Sequence, residues 1–263
     1  MTDNFWRNFS GAFCAASLLA LAPLQIAHAR TLAEIKARGI LELCANPGSL
    51  PYSSKNQDNP GFQVEIAHAL AQGLGVNLSV AWIVPTYRDK LVNCDIHLDA
   101  FNDSAVHEGK LKLSRPYQRN GVVLGLHQDN AGDIKRFDDL KQGQKIGVMI
   151  NSAASVILGK KGLTTSPYAF EADMLDDLVK GDLFGCAISV ATISYYRKQH
   201  PETNLSLVYP DAGESDLSWS VTVGMRKADD ALVSAMDEVI DKLLANETFK
   251  TIYTKYGIEH RAP

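Results

Sequence analysis

Two periods organise the apolar positions of this chain. Over residues 62–75, "FQVEIAHALAQGLG", apolar side chains recur three and four apart at Phe62, Ile66, Ala69 and Leu70 and stop at Gly73 and Gly75. That spacing predicts an amphipathic helix with a glycine exit. Thr31 and Glu34 form a capping box ahead of a shorter helix ending near Gly39. Compact apolar runs stand between such segments. "ILELCA" (40–45), "NLSVAWIV" (77–84) and "CDIHLDAF" (94–101) read as strands, and "TYRDKLVN" (86–93) as a short helix.

The second half repeats the grammar. "GVVLGLHQ" is extended, and "KIGVMI" is a strand running into Asn151-Ser152, good caps for the helix "AASVILGKKG". "DMLDDLVKGD" reads as a helix, "FGCAISV" as a strand and "SWSVTVGMRK" as extended chain, and residues 228–257 as two amphipathic helices. Alternation of this kind predicts parallel sheet with helices on its faces, and two α/β lobes account for it better than one sheet.

Composition narrows the class. The chain has 263 residues, 46% hydrophobic and 21% charged, which suits one large domain or two modest ones. Residues 1–29 read as an export signal: a weakly charged head with Arg7, the apolar core "GAFCAASLLALAPLQIA", and the small-x-small exit Ala27-His28-Ala29. Its removal takes one Arg and one Asp from 26 basic and 30 acidic residues, so the mature balance of 25 to 29 is still −4. No basic run carries interleaved aromatics, which argues against nucleic acid as a partner. Export changes the meaning of Cys44, Cys94 and Cys186: in an oxidising compartment two of the three should pair. None of them lies in a Cys/His array with zinc spacing.

Specific stretches then become informative. "GFQVEIAHALAQGLGV", "KLSRPYQRNGVVLGL", "LKQGQKIGVMINSAAS" and "FKTIYTKYG" resemble the periplasmic solute-binding proteins of the amino-acid receptor type, across the whole mature chain. "LCANPGSLPYS", "NCDIHLDA", "SRPYQRNGVVL", "SWSVTVGMRKADDAL" and "YGIEH" resemble a narrower group, the MxaJ/XoxJ-type accessory proteins of pyrroloquinoline-quinone alcohol dehydrogenases in methanol oxidation. Cys44, Cys94 and Arg115-Pro116-Tyr117 are its most specific marks. The resemblance implies an α/β, two-lobed, periplasmic-binding-protein-like (type II) fold with an interlobe cleft. Lobe one would hold residues 31–123 and 223–263, lobe two residues 128–216, with crossovers near Val122–Gln128 and Trp219–Val223.

The same resemblance locates a candidate site. Amino-acid receptors clamp the ligand carboxylate with an arginine whose position here is taken by His107, and imidazole lacks the guanidinium fork. The aspartate that receives the amino group should fall in "FGCAISVATIS", which holds no carboxylate; Asp182 precedes it in a turn. Both halves of the clamp are therefore expected to be missing. The remaining cleft candidates are Asn46, Leu50, Tyr52, Trp82, Phe101, Asn102 and Ser104 from lobe one, with Asn151, Ser152, Ser189 and Thr192 from lobe two. Trp82 stacks on a ligand or belongs to the core; Ser152 presents N–H groups to an anion or only caps its helix. Cys44 and Cys94 fall on strands expected to be neighbours and are expected to pair, leaving Cys186 a packed thiol.

His97, Asp99, Asp103, His107 and Glu108 crowd together, but Asp95, His97 and Asp99 alternate along one strand face. They read as a solvated surface rather than a metal site. No nucleophile elbow or phosphate loop is present, so no catalysis and no cofactor of its own is expected. The expected partner is a quinoprotein alcohol dehydrogenase or its cytochrome, any quinone belonging to that enzyme; the alternative is a small solute that is not a standard amino acid, with an ABC permease.

Overall fold

A computed structural model describes residues 31–83, 94–105, 107, 110–210 and 217–263. The export segment, the "TYRDKLVN" helix and Glu108 lie outside the described residues.

Helix α1 (Leu32–Arg38) opens with the capping box: Thr31 Oγ1 accepts the Glu34 N–H at 3.2 Å and the Glu34 carboxylate accepts the Thr31 N–H at 2.8 Å. Strand β1 (Ile40–Ala45) follows and runs into a small hairpin, β2 (Gly48–Ser49) and β3 (Ser53–Ser54). Next come α2 (Phe62–Gly73), β4 (Asn77–Trp82), β5 (Ile96–Phe101), β6 (Leu111–Leu113) and the ten-residue β7 (Gln118–His127). The second lobe contains α3 (Gln128–Ala131), β8 (Ile146–Met149), α4 (Ala153–Lys160), β9 (Thr165–Tyr168), α5 (Glu171–Lys180), β10 (Gly185–Ser189), α6 (Val190–Gln199) and β11 (Leu205–Val208). The chain then returns through β12 (Ser218–Arg226) to α7 (Asp230–Ala245) and α8 (Thr248–Lys255).

The sheet is mixed and continuous, in the order β4-β1-β5-β12-β7-β10-β8-β9, and the two lobes expected from the sequence are joined through extended strands. Parallel pairing holds for β1 with β4 and β5, and for β8 with β9 and β10. Strand β7 joins the lobes. Its residues 118–121 pair antiparallel with β12, and residues 122–126 pair antiparallel with β10. Gly121 stands at that change of partner, where a Cβ would run into the Leu217 carbonyl and come within 3.1 Å of Ser218 Cα. Only a glycine lets the two crossing strands approach so closely there.

Each lobe has its own core. In lobe one, α2 and the C-terminal pair α7 and α8 bury Phe62, Ile66, Met236, Phe249 and Tyr253 against Leu41, Leu43, Ile96 and Val223. Phe62 is the hub, with Tyr52, Tyr253 and Tyr256 rings at 5.1, 5.0 and 6.2 Å. Such aromatic pairs add about 0.5–1.5 kcal/mol each beyond simple burial. In lobe two the period of two divides the sheet. Ala187 and Leu124 face Phe137 and Leu158, while Cys186, Ile188 and Val123 face Met174, Leu178 and Ile193. Helix α6 touches both lobes, since Ala191 joins the first core and Ile193 the second.

The acidic stretch at β5 is not the solvated surface its alternation suggests. Asp95 is 1% exposed; its Oδ2 accepts Arg38 Nη2 at 2.9 Å and the Glu42 N–H at 2.8 Å. Burying a carboxylate requires that kind of pairing. Asp103, by contrast, is exposed.

Candidate binding site between the lobes

Parallel strands carry their carboxyl ends to one side, and here the ends of the two lobes face each other. The loop after β1 is held by Gly61, whose φ of 88° lets its backbone press on Tyr52 and Ser53; a Cβ would stand 2.6 Å from Ser53 N. Asn46 serves the same loop, its Oδ1 accepting the Gly48 N–H at 3.1 Å and its carbonyl accepting Ser53 Oγ at 2.8 Å. Tyr52 is thereby aimed out of lobe one, and its phenol donates to Ser189 Oγ at 3.1 Å, at the end of β10.

Ser189 belongs to a polar chain. Its hydroxyl donates to Glu171 Oε2 at 3.0 Å and its N–H to Glu171 Oε1 at 2.9 Å. Thr192 Oγ1 donates to the same Oε2, and Ser189 Oγ caps α6 by accepting the Thr192 N–H at 3.3 Å. The Glu171 carboxylate therefore sits at the N-terminus of α6, where the helix dipole favours an anion. Burial and the nearby Glu171 carboxylate push the Tyr52 phenol well above its ordinary range, so at neutral pH it is a donor. A second crossing is made by Asn59 Nδ2, which donates to Tyr195 OH at 2.9 Å.

Behind Tyr52 lies Asp99, at a φ of 55° that only a few non-glycine residues, Asp among them, adopt readily. Its Oδ1 accepts the Tyr117 phenol and its N–H donates back to that oxygen, both at 2.9 Å, while Oδ2 accepts Gln63 Nε2 at 2.7 Å. Burial holds this carboxyl above the usual carboxylate value, opposed by those hydrogen bonds. A carboxyl raised by folding contributes most stability below its unfolded value and loses it as pH rises through the folded one. Asp99→Asn, neutral throughout and tolerant of this φ, should melt higher than the native protein at pH 7, with the gap closing toward pH 3. Equal melting shifts at both pH values would show that burial is not the controlling cost.

The other named residues are distributed as follows. Leu50 and Phe101 are exposed at 38% and 44%, Phe101 against Trp219 at 5.0 Å. Trp82 is half-buried against the lobe-one core, and Asn102 and Ser104 are exposed beyond β5. Asn151 is exposed at φ 58°, and Ser152 is a cap: its Oγ accepts the Ser155 N–H at 3.1 Å. His107 Nε2 is 2.9 Å from the Phe101 carbonyl. Cys44 and Cys94 form a disulfide with Cα atoms 5.5 Å apart, and His97 Nε2 lies 3.5 Å from Cys94 Sγ. The bridge removes the two thiolates that would make Cys44, Cys94 and His97 a metal set. Cys186 is free and buried, its thiol pushed up by desolvation.

The stretch "FGCAISVATIS" holds no carboxylate of its own, and the one that meets Ser189 and Thr192 comes from Glu171, at the start of α5. Sequence reasoning also missed Gln63, Asn59 and Tyr195. Phe170, beside Glu171, is 67% exposed and Ile150, after β8, 52%. With Leu50 and Phe101 they place large apolar side chains at the strand ends of both lobes.

A two-lobed mixed sheet with facing strand ends is the build of an extracellular solute receptor. The chain belongs to the bacterial extracellular solute-binding proteins, family 3, whose model matches residues 41–259. It is similar to the L-cystine-binding protein TcyJ of Escherichia coli K12, 25% identical over 257 residues that cover 94% of this chain and 93% of that protein. Protein MoxJ of Methylorubrum extorquens is also 25% identical, over 92% of this chain and 90% of its own. Among solved structures, an ancestral cationic amino acid solute-binding protein has a TM-score of 0.74 at 22% identity, covering 86% of this chain and 98% of the other. The periplasmic binding protein XoxJ of Methylobacterium extorquens AM1 has a TM-score of 0.68 at 19% identity, covering 85% and 100%.

Proposed function

We propose that this protein is a non-catalytic periplasmic accessory protein of a pyrroloquinoline-quinone-dependent alcohol dehydrogenase, exported by residues 1–29, and that the facing strand ends of its lobes receive the enzyme, or a segment of it, during maturation or activation. The observation that carries this reading is the apolar character of those ends. Leu50, Phe101, Ile150 and Phe170 are all more than a third exposed. Large apolar side chains left exposed beside the strand ends suit contact with a protein surface better than with a small polar solute. His107, at the position of the receptors' arginine, adds to it: its ring engages the Phe101 carbonyl and offers no fork for a free carboxylate. Similarity to MoxJ, of the group suggested by the Cys44, Cys94 and Arg115-Pro116-Tyr117 motifs, supports the same reading.

Catalysis finds no support at Ser189. Its hydroxyl donates to a carboxylate, and no histidine is among its partners in the described residues. A nucleophilic serine needs a base positioned to take its proton.

One observation favours a second reading, a receptor delivering a small polar solute to an ABC permease. Glu171 restores an anionic group to lobe two, and the similarity to the cystine receptor TcyJ points the same way. Affinity capture with the tagged protein from native periplasmic extract separates the two. Recovery of a quinoprotein dehydrogenase or its cytochrome is the expected result. A small molecule in the denatured eluate with no protein partner, or micromolar calorimetric binding of L-cystine or another amino acid, would replace the accessory reading with transport.

A further inference from the structure

Helix α6 directs its N-terminus at the strand ends and its last turn at a separate depression. The end of α6, the turn Pro201–Thr203, the start of β11 and Gln128 at the start of α3 surround a cavity of about 360 Å³, and Gly257 of the C-terminal tail forms one wall. That wall is tightly placed, since a Cβ at Gly257 would stand 2.8 Å from Lys198 Cβ and 3.0 Å from the Ser194 carbonyl. None of the lining residues belongs to the site between the lobes.

The lining is basic. Arg197, Lys198 and His200 all contribute to it. The described acidic group in contact with them is Glu202, 3.2 Å from His200 Nδ1. Lys198 Nζ donates to the Lys255 carbonyl at 2.5 Å, which fixes its stem along the wall. Arg197 makes no ion pair among the described residues and acts on the Tyr209 phenol, whose ring Arg261 covers at 4.7 Å. Two neutral donors complete the lining. Gln128 Oε1 accepts Ser206 Oγ at 3.2 Å, and its NH2 group is uncommitted among the described residues. Asn204 is held at a φ of 46° with its amide uncommitted among the described residues.

We propose that this cavity is a second binding site, for a small solute bearing a multiply charged oxyanion, a phosphate or dicarboxylate, with Arg197 as its anchor. A guanidinium with no ion pair among the described residues matches an oxyanion through paired N–H donors, and the neutral amides of Gln128 and Asn204 add donors without adding charge. The volume lies at the lower end of the range for small-molecule sites, which suits a compact anion rather than a protein segment. The carbonyl end of α6 works against an anion, and the cations already placed there offset it.

The test is an amide-resonance titration of the isotope-labelled protein with inorganic phosphate, repeated with succinate, at ionic strength held constant by chloride. Saturable shifts confined to Gln128, residues 194–205 and Gly257 are expected, from one probe or both, which also tells phosphate from carboxylate. Arg197→Gln should weaken that binding at least about tenfold, the loss of one charge-assisted pair, with an unchanged melting temperature. Tyr52→Phe should leave it unaltered, so the result stands apart from the accessory reading. Non-saturable shifts equal to those of chloride, or an affinity that Arg197→Gln does not change, would overturn the site.

Discussion

Cys44→Ser/Cys94→Ser melts roughly 8–16 °C below the native protein. The bridge joins residues 50 apart in sequence, and closing a loop of that length in the unfolded chain is worth about 4 kcal/mol in the chain-entropy model. At about 2–4 °C per kcal/mol for a protein of this size, the melting shift follows. The effect should reach the site as well as the global fold, because the bridge ties the end of β1 to the start of β5. Those strands carry the Asn46–Tyr52 loop and Phe101. Melting of the native protein with and without reductant should reproduce the double variant. The control is built in: Cys186 is 0% exposed and its thiol is raised, so reductant and alkylating reagents should not touch it until the chain unfolds. A shift under about 2 °C would mean that the unfolded chain is held compact by something other than the bridge.

The elements that local chemistry decides were legible in the sequence. The capping box at Thr31, the apolar face of α2 and the Ser152 cap need only neighbours within a turn, and each forms where its residues stand. Among the elements that escaped, three show the physical reason. Strand β9 contains Pro167, which ordinarily demotes a strand and is accommodated here at the edge of the sheet. Helix α6 begins with Val190, Thr192 and Ile193, poor helix formers that continue an apolar strand without a break. Burial of Ala191 and Ile193 in two different cores decides its conformation, and no window of sequence contains both cores. Strand β11 has four residues and acquires its meaning from pairing with β7, some eighty residues earlier.

The site divides along the same line. Tyr52, Ser189 and Thr192 lie at strand ends, so the rule that open sheets bind at carboxyl ends reaches them. Their common acceptor does not follow from that rule. Glu171 lies 18 residues before Ser189, at the first position of a helix whose preceding strand was unread. Asp95 fails in the same way. Alternation gives the face on which a side chain stands, and only the tertiary fold places Arg38 and the Glu42 N–H there to make burial affordable.

Glu171→Ala should cost about 2–4 kcal/mol, because it leaves the Ser189 N–H, the Ser189 hydroxyl and the Thr192 hydroxyl without their charged acceptor in a partly buried place. It also removes an anion from the start of α6. Tyr52→Phe, which deletes one neutral hydrogen bond and no packing, should cost only about 0.5–1.5 kcal/mol. The two are linked through one atom, Ser189 Oγ, which Glu171 orients and Tyr52 uses. Their double-mutant cycle should therefore show a coupling of about 0.5 kcal/mol or more, whereas independent sites would add. The same chain crosses between the lobes, so both variants should also raise the radius of gyration in X-ray scattering as the lobes separate more often. If Glu171→Ala destabilises without any change in scattering, Glu171 is a cap for α6 alone, and the contact of Tyr52 with Ser189 does not govern how the lobes close.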